Sequence, residues 1–319
     1  MQEKNAFLFD FSRFDCIVCR KLFSQVILMN CCQFQKNAAV FLSGAGTNAE
    51  VLLRDIQNDP HAPWRASVLV TDRPETSRAR ELAAKFQLPL VEHDIVAFYR
   101  AAGEAKVSIR TGNGMRLREE WTDGLRAKLA AYPIDFGIHA GFITLCNITA
   151  DYPCLNVHPG DLTVMEDGKR VFAGLHLGPT EYAILAGYSG IRSSVIVAQQ
   201  VSLGATEMDE GPILGISGSM PLDLCGYTLE ELQAAKERRA GKTPAEYAND
   251  ILRIVASRNV DRLKEYGDWE VFPRVVRDYA AGAFTFSPLK YHGEEIRTVV
   301  YKSGCPPIPV PADFEGELP

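Results

Sequence analysis

The chain of 319 residues has no apolar run long enough to cross a bilayer, no excess of positive charge and no internal repeat. Its 34 Lys and Arg stand against 40 Asp and Glu, which gives a formal net charge of -6. A membrane-spanning helix needs about 20 consecutive apolar residues, and nucleic-acid-binding surfaces are rich in Lys and Arg. We therefore expect neither a membrane nor a nucleic-acid partner, and the composition favours a small-molecule ligand.

Paired cysteine spacings are also scarce. The eight cysteines are dispersed along the chain: Cys16, Cys19, Cys31, Cys32, Cys146, Cys154, Cys225 and Cys305. Cys16 and Cys19 have the spacing of half a zinc site, but Cys31 and Cys32 do not supply the second half. This usage predicts free thiols in a reducing, cytoplasmic protein, with no metal site.

Residues 1–35 are predicted to be a peripheral extension. They are rich in aromatic residues, and charged side chains interrupt the apolar stretches, so the segment makes a poor secretory signal. We expect nothing catalytic in it.

From residue 36 onward the apolar residues alternate between strand and helix periods. Strands are predicted over residues 36–42, 66–71, 89–91, 136–140, 154–157, 192–200 and 213–217, and helices after residue 48 and over residues 77–86, 116–129 and 179–185. The opening order β-α-β-α-β indicates an α/β fold with a doubly wound, mostly parallel sheet.

The last third of the chain is predicted to be helical and then extended. Capping boxes at Thr228/Glu231 and Thr243/Glu246 predict two helices, and a third is expected from Pro273. Their predicted ranges are 229–239, 245–266 and 273–281. We expect one domain over residues 36–286 with a helical insertion at about 225–253. A C-terminal hairpin around Gly293 and an extended tail follow over residues 287–319.

Three polar residues stand where an α/β sheet places its chemistry. Asn156 and His158 end a buried strand, and Asp209 lies on a turn between two strands. Asn can stabilise an oxyanion, His can move a proton near neutral pH, and a buried Asp can orient the His. The trio suits acyl transfer to an amine without an enzyme nucleophile.

The plainer interpretation is that His158 satisfies a backbone carbonyl and Asp209 caps a turn. We apply that interpretation to the other histidines, which are His61, His93, His139, His176 and His292. His176 is the exception, because residues 174–176 could line the same cleft.

A glycine-rich turn follows the first strand. It reads Ser43-Gly44-Ala45-Gly46-Thr47-Asn48 and leads into a helix. Glycine lets the backbone approach a ligand, and the N-terminus of a helix favours an anion such as phosphate. The turn is neither GxGxxG nor a P-loop, so a tight turn without a ligand remains an equal alternative.

Four segments taken together carry a resemblance. They are Ser43 to Asn48, Ala140-Gly141-Phe142, Asn156-Val157-His158-Pro159 and Met208-Asp209-Glu210-Gly211-Pro212. In order and spacing they resemble the folate-dependent formyltransferases, most of all the phosphoribosylglycinamide formyltransferases. The resemblance implies a Rossmann-like formyltransferase fold. It also implies transfer of a formyl group from the cosubstrate 10-formyltetrahydrofolate to a primary amine, such as glycinamide ribonucleotide in purine biosynthesis.

The resemblance also implies residue roles. Asn156 and His158 would stabilise and protonate the tetrahedral intermediate, and Asp209 would hold the imidazole or a proton-relay water. The substrate phosphate would be held by Gly44, Ala45, Gly46, Thr47 and Asn48, with Arg118 near the substrate cleft. The folate would lie against Phe142, Ile143, Thr144 and Leu145. A homo-oligomer is left open.

The sequence departs from the family's pattern beside the folate, where residues 142–145 lack the family's arginine. This keeps open a ligand-binding relative without catalysis. A second alternative is a formyltetrahydrofolate deformylase, with water as acceptor, which is disfavoured because residues 1–34 are too short for the regulatory domain of that family. A nicotinamide-dependent dehydrogenase is disfavoured, since the glycine-rich turn lacks a third glycine.

Overall fold

A seven-stranded sheet is the centre of this computed structural model, which describes residues 35–174, 177–200, 208–291, 294–301 and 308–310. In chain order the strands of the described residues are β1 Lys36–Leu42, β2 Trp64–Thr71, β3 Leu90–Glu92, β4 Phe136–His139, β5 Cys154–His158, β6 Met165–Glu166, β7 Lys169–Arg170, β8 Gly190–Ile191, β9 Ser194–Val197, β10 Ile213–Ile216, β11 Met220–Pro221, β12 Phe284–Tyr291, β13 Glu294–Tyr301 and β14 Ile308–Val310. The sheet order is β10-β9-β5-β4-β1-β2-β3. Strand β9 runs opposite to the other six strands of this sheet.

Helices cover both faces of the sheet. Those of the described residues are α1 Thr47–Gln57, α2 Ala79–Phe86, α3 Ile95–Ala101, α4 Gly112–Leu129, α5 Gly178–Leu185, α6 Leu229–Glu237, α7 Ile251–Leu263 and α8 Trp269–Ala280. Short 3-10 turns lie at Asn147–Ala150 and Met208–Glu210, and a π turn lies at Lys264–Asp268.

The alternation of buried residues in β1 divides the core into two layers. Val40 and Leu42 pack with α1, α2 and α8 on one face, and Phe41 packs with α3 and α4 on the other. Because successive side chains of a strand point to opposite faces, a strand buried on both faces needs a continuous apolar run. The predicted α/β class with a doubly wound, mostly parallel sheet is confirmed.

Several helix boundaries differ from the predicted ones, and α4 begins at Gly112 rather than at residue 116. The pair Thr243 and Glu246 is hydrogen bonded as expected, but within a turn, and α7 begins only at Ile251 after the N-cap residue Asp250. Similarly, α8 begins at Trp269 and not at Pro273. The π turn directly before it loosens the hydrogen-bond ladder, so the missing N–H of Pro273 is accommodated within a helix.

One helix, α3, is absent from the predicted elements. Asp94 caps it by accepting hydrogen bonds from the backbone N–H groups of Val96 and Ala97 at 2.8 and 2.9 Å. Its Ile95 and Tyr99 are buried. An Asp before an apolar residue is a helix-start signal, so the sequence did indicate where this helix begins. The helix is too short to show a clear helical period of apolar residues.

The helical insertion is held by one buried cation. Arg239, only 8% exposed, donates to Glu181 of α5 at 2.7 Å. It also donates to Asp250, the N-cap residue of α7, at 2.5 Å. A buried guanidinium is stable only when paired, so this contact fixes the insertion against α5.

At the C-terminal end, β12 and β13 pair antiparallel with Phe284 opposite Tyr301, and β14 pairs with β13. The predicted hairpin is therefore present, although Gly293 lies outside the described residues. Also outside them are Met1 to Phe34 of the predicted extension, His176 and the tail apart from Ile308–Val310. In the described part of the chain, no helix combines the length and the apolarity that crossing a membrane would require.

His139 of β4 is a buried polar exception in the core. It is fully buried against the rings of Phe41 and Phe142, and among the described residues neither ring nitrogen has a hydrogen-bond partner. Burial lowers the pKa of His139 from 6.5 to about 4. The folded chain therefore holds this imidazole neutral at pH values where the unfolded chain would already protonate it.

We predict that His139→Leu removes part of the acid sensitivity of folding. Because the pKa of His139 is lower in the folded chain, protonation of this residue favours the unfolded chain. The resulting loss in the free energy of unfolding is absent above pH 6.5 and grows to roughly 3 kcal/mol as the pH falls to about 4. Urea unfolding at pH 7 and pH 4 measures how much free energy of unfolding is lost on acidification. This loss should be smaller in the variant than in the natural chain by that amount.

His61→Leu, at an exposed position, is the matched control and should keep the acid sensitivity of the natural chain. An unchanged loss of stability in His139→Leu would contradict the assignment.

Candidate functional site

The site lies where β5 ends. Asn156 and His158 are two residues apart on this strand, so their side chains share one face of the sheet, while Leu155 and Val157 point into the core on the other. Asn156 is partly exposed, and its side chain has no hydrogen-bond partner among the described residues. An amide group and an imidazole therefore stand side by side at the carboxyl edge of the sheet.

Asp209 approaches the imidazole from a separate loop. Nδ1 of His158 lies 3.4 Å from Oδ1 of Asp209, and the two residues are 4% and 7% exposed. The 3-10 turn Met208–Glu210 carries Asp209 to this position. The structure thus brings the three predicted residues to one end of the sheet, with two of them in a buried pair.

Contacts on both sides hold the Asp209 loop. A Cβ atom at Gly211 would lie 1.7 Å from the Val197 carbonyl oxygen, so only glycine lets this loop pass so close to β9. The backbone N–H of Gly174 donates to Oδ2 of Asp209 at 3.1 Å. Arg170 donates to the backbone carbonyl of Asp209.

The loop of residues 160–174 closes over the imidazole. Nε2 of His158 lies 2.6 Å from the carbonyl oxygen of Phe172. Gly160 makes room for this contact, because a Cβ there would lie 2.8 Å from the same oxygen. Ser194 of β9 anchors the start of the loop by donating to the Gly160 carbonyl at 2.7 Å and accepting from the Leu162 N–H at 3.0 Å.

These partners determine the protonation of His158. A carbonyl oxygen only accepts, so Nε2 carries a proton, and a carboxylate beside Nδ1 favours a proton there too. Burial alone would lower the pKa of His158, but the hydrogen bond and the charge of Asp209 outweigh it and raise the pKa above 6.5. Burial would likewise raise the pKa of Asp209, yet contact with His158 brings it below 3.8. Both shifts favour the charged forms, an imidazolium beside a carboxylate.

A second buried carboxyl group, Asp268 in the π turn, was missed by the sequence patterns. Its Oδ1 accepts from Ser193 Oγ at 2.5 Å and its Oδ2 from Asn48 Nδ2 at 2.8 Å. Burial raises the pKa of Asp268 above 3.8, although both hydrogen bonds oppose that shift. Its charge also contributes to raising the pKa of His158. An acidic residue just before an amphipathic helix was the available signal, and its partners are far away in sequence.

The glycine-rich turn offers unused backbone donors. Gly46 has φ +63°, and a Cβ there would lie 2.8 Å from side-chain atoms of Leu42 and Leu82, so glycine is required on both grounds. Among the described residues, the backbone N–H groups of residues 44–48 have no hydrogen-bond acceptor. Such a cluster at a helix N-terminus fits an anion.

Two residues predicted to lie at the phosphate have other contacts. The side chain of Asn48 is used on both atoms, by Asp268 and by the indole N–H of Trp269 at 3.0 Å. It therefore ties α1 to α8, and only its backbone N–H is free. Arg118 lies away from the glycine-rich turn, where it donates to the Leu145 carbonyl and is 5% exposed.

The predicted folate segment is divided between core and cleft. Phe142 packs into the core against Phe41 and is 4% exposed. Ile143 is 51% exposed, and its backbone N–H donates to Ser43 Oγ at 3.0 Å, which joins this segment to the glycine-rich turn. Ile143, Thr144 and Leu145 line a cleft together with Arg118.

The thiols beside the site are unsuited to nucleophilic attack. Burial raises the pKa of Cys146 to about 12 and places that of Cys154 well above 9.0. A nucleophilic cysteine needs a lowered pKa and access. In the part of the chain that the structure describes, no group of His, Cys, Asp and Glu side chains is arranged to hold a metal ion.

No protein-family model matches the sequence, and none of the curated proteins matches it either. Solved structures do match. The glycinamide ribonucleotide transformylase 1 of Symbiobacterium toebii has a TM-score of 0.51 at 21% identity, covering 79% of this chain and 91% of that one. The phosphoribosylglycinamide formyltransferase of Coxiella burnetii has a TM-score of 0.50 at 17% identity, covering 85% and 98%. This chain therefore has the Rossmann-like fold of phosphoribosylglycinamide formyltransferases.

Proposed function

We propose that the protein transfers the formyl group of 10-formyltetrahydrofolate to a primary amine, as a phosphoribosylglycinamide formyltransferase does. The observation that carries this proposal is the buried His158–Asp209 pair with the unpartnered amide of Asn156 on the same face of β5. We assign the reaction to residues 36–286 and favour glycinamide ribonucleotide as the amine. The fold shared with solved transformylases supports this assignment.

The reaction needs one oxyanion and two proton transfers. The amine attacks the formyl carbon, and the carbonyl electron pair moves to oxygen. The Nδ2–H of Asn156 donates to that oxyanion, where a donor is worth about 3 to 4 kcal/mol of barrier, and the positive charge of the His158 imidazolium stabilises it as well. The carboxylate of Asp209 then takes a proton from the new ammonium group.

The second half of the reaction releases the folate. The bond between the formyl carbon and N10 breaks as the oxyanion collapses to a carbonyl, and N10 takes up a proton. The proton that left the amine thus balances the one gained by N10, so no redox partner is required. His158 is suited to passing it, since its pKa is raised and its ring is fixed by the Phe172 carbonyl.

The substrates would meet at this edge from two sides. The unused N–H groups of the glycine-rich turn fit a phosphate on the amine. Ile143, Thr144 and Leu145 line a cleft suited to the folate. The direct hydrogen bonds from Ser43 to Gly141 and from Ile143 to Ser43 keep the two sides together.

The first test is an absorbance assay for tetrahydrofolate release from 10-formyltetrahydrofolate, with and without glycinamide ribonucleotide. Release that requires the amine is the expected result. Release without any amine would instead identify a deformylase, and no release with a panel of phosphorylated amines would leave a binding protein without catalysis.

We predict that His158→Ala and Asp209→Asn each lower turnover about a hundredfold or more, because each removes an acid–base or oxyanion group. Circular dichroism should show both variants folded. His139→Leu, on the adjacent strand, and Asp151→Asn, at an exposed position, are the matched controls and should keep normal turnover. Near-normal activity in either site variant would refute the role given to that residue.

The pH profile should report the His158–Asp209 pair. Because the contact with Asp209 raises the pKa of His158, the imidazolium persists above pH 6.5, and kcat/KM should fall only at higher pH as this proton is lost. Asp209→Asn removes the charge that raises this pKa, so the residual activity should fall at a lower pH. If the decrease of kcat/KM at high pH occurs at the same pH in Asp209→Asn, a group other than His158 causes it.

A further inference from the structure

The loop over the imidazole contains a short hairpin. Its strands, β6 and β7, pair with Met165 opposite Arg170. The two residues between the strands, Asp167 and Gly168, have φ values of 49° and 74°. A two-residue turn with positive φ at both positions matches the natural twist of a hairpin, and Asp-Gly is a preferred sequence for it. The local sequence therefore determines where Arg170 lies, at the end of β7.

The segment that follows this turn contacts both members of the buried pair. The guanidinium of Arg170 donates to the backbone carbonyl of Asp209, and the N–H of Gly174 donates to the Asp209 carboxylate at 3.1 Å. Between these two contacts along the chain, the carbonyl oxygen of Phe172 lies 2.6 Å from Nε2 of His158. One short stretch of chain, residues 170–174, thus contacts the carboxylate, its backbone and the imidazole.

The backbone around Arg170 is held in place by its neighbours. The ring of Phe172 is 4% exposed and packs edge-on against the rings of Tyr182 and Tyr188, with centroids 5.9 and 5.1 Å away. The N–H of Val171 donates to the Val164 carbonyl at 3.0 Å, which continues the pairing of the hairpin. Side chains position a site best when they extend from a rigid element. The Arg170 guanidinium extends from such an element.

The loop that carries Asp209 has little regular structure of its own. Asp209 lies in a 3-10 turn of three residues, Met208–Glu210, and such turns have poor hydrogen-bond geometry. After the turn, the N–H of Val197 in β9 donates to the Pro212 carbonyl at 3.0 Å. Arg170 provides the corresponding hold at Asp209 itself. A displacement of about 1 Å at a reacting group can lower a rate about a hundredfold, so this hold bears on catalysis.

Arg170 also acts on Asp209 through its charge. Burial would raise the pKa of Asp209, but the hydrogen bond and charge of His158 lower it, and the Gly174 N–H and the charge of Arg170 add to this lowering. Lys169 precedes Arg170 on β7, is exposed, and points to the opposite face of the hairpin, because successive side chains of a strand alternate. The chain therefore offers two neighbouring cations, of which one contacts the Asp209 loop.

We propose that Arg170 is a positioning residue for formyl transfer, which holds the Asp209 loop so that the carboxylate stays against Nδ1 of His158. Its effect on turnover rests on the proposed function, whereas the contact can be tested without any reaction. Arg170 acts through Asp209 and carries out no proton transfer itself.

The first measurement is the steady-state kinetics of Arg170→Met. Methionine keeps an apolar stem and removes both the donor and the charge. We expect kcat to fall about tenfold to a hundredfold, with the KM values of 10-formyltetrahydrofolate and glycinamide ribonucleotide changed less than about twofold. Arg170 lines neither the cleft beside residues 143–145 nor the glycine-rich turn, so substrate binding should persist. Arg170→Lys keeps a donor and the charge and should recover most of kcat.

The second measurement follows Asp209 itself and needs no turnover. Carboxyl-carbon NMR of the Asp-labelled chain, with the signal assigned by Asp209→Asn, reports the pKa of Asp209. Loss of the positive charge and loss of the loop contact both raise this pKa in Arg170→Met. The decrease of kcat/KM at low pH should therefore move to higher pH, because Asp209 must be ionised to accept a proton.

Lys169→Met is the matched control, since it removes the same charge from the same hairpin at an exposed position. It should keep kcat, the pKa of Asp209 and the pH profile, because an exposed charge is screened by solvent and salt. Circular dichroism should show all three variants folded, since Arg170 and Lys169 lie in a hairpin at the surface.

Unchanged kcat and an unchanged pKa of Asp209 in Arg170→Met would overturn the proposal. Equal losses in Arg170→Met and Lys169→Met would also overturn it, and so would a lower kcat without any change in the titration of Asp209. If the natural chain transfers no formyl group, the proposed function fails. A higher pKa of Asp209 in Arg170→Met, but not in Lys169→Met, would still support the positioning contact in that case.

Discussion

The buried contact between His158 and Asp209 is the constraint on which the site depends. A charged imidazole and a carboxylate lose hydration when buried, and such a pair is stable only in good geometry with additional hydrogen bonds. Here the Phe172 carbonyl and the Gly174 N–H supply those bonds. The loop of residues 160–174 therefore supports the buried pair, and the glycines at 160 and 211 are explained by the close approach of backbone that the pair requires.

Asp268 is a second buried carboxyl group that connects distant segments by hydrogen bonds. Its carboxyl group joins residues from the first helix, the segment before β9 and the start of the last helix, which are separated by up to 220 positions. The π turn places it there by shifting the helical register just before α8. The same contact takes the side chain of Asn48 out of the anion site, so the phosphate would be held by backbone groups.

Charge is distributed unevenly around this edge of the sheet. The overall formal charge is -6, yet the cleft beside residues 143–145 is lined by Arg and Lys, and the glycine-rich turn offers neutral N–H donors. In the proposed reaction, the low dielectric around the buried pair would make each dipole act more strongly on a developing oxyanion.

Local sequence patterns are enough to place the strands of the sheet and the two polar residues that end β5. Short apolar runs such as residues 38–42 are typical of strands buried on both faces, and two-residue spacing places Asn156 and His158 on one face. Tertiary packing sets which distant groups meet there: Phe172 arrives on a loop, Ser194 on β9 and Asp268 in a π turn. Periodicity describes neighbours along the chain, whereas hydrogen bonds between remote segments depend on how the whole chain packs.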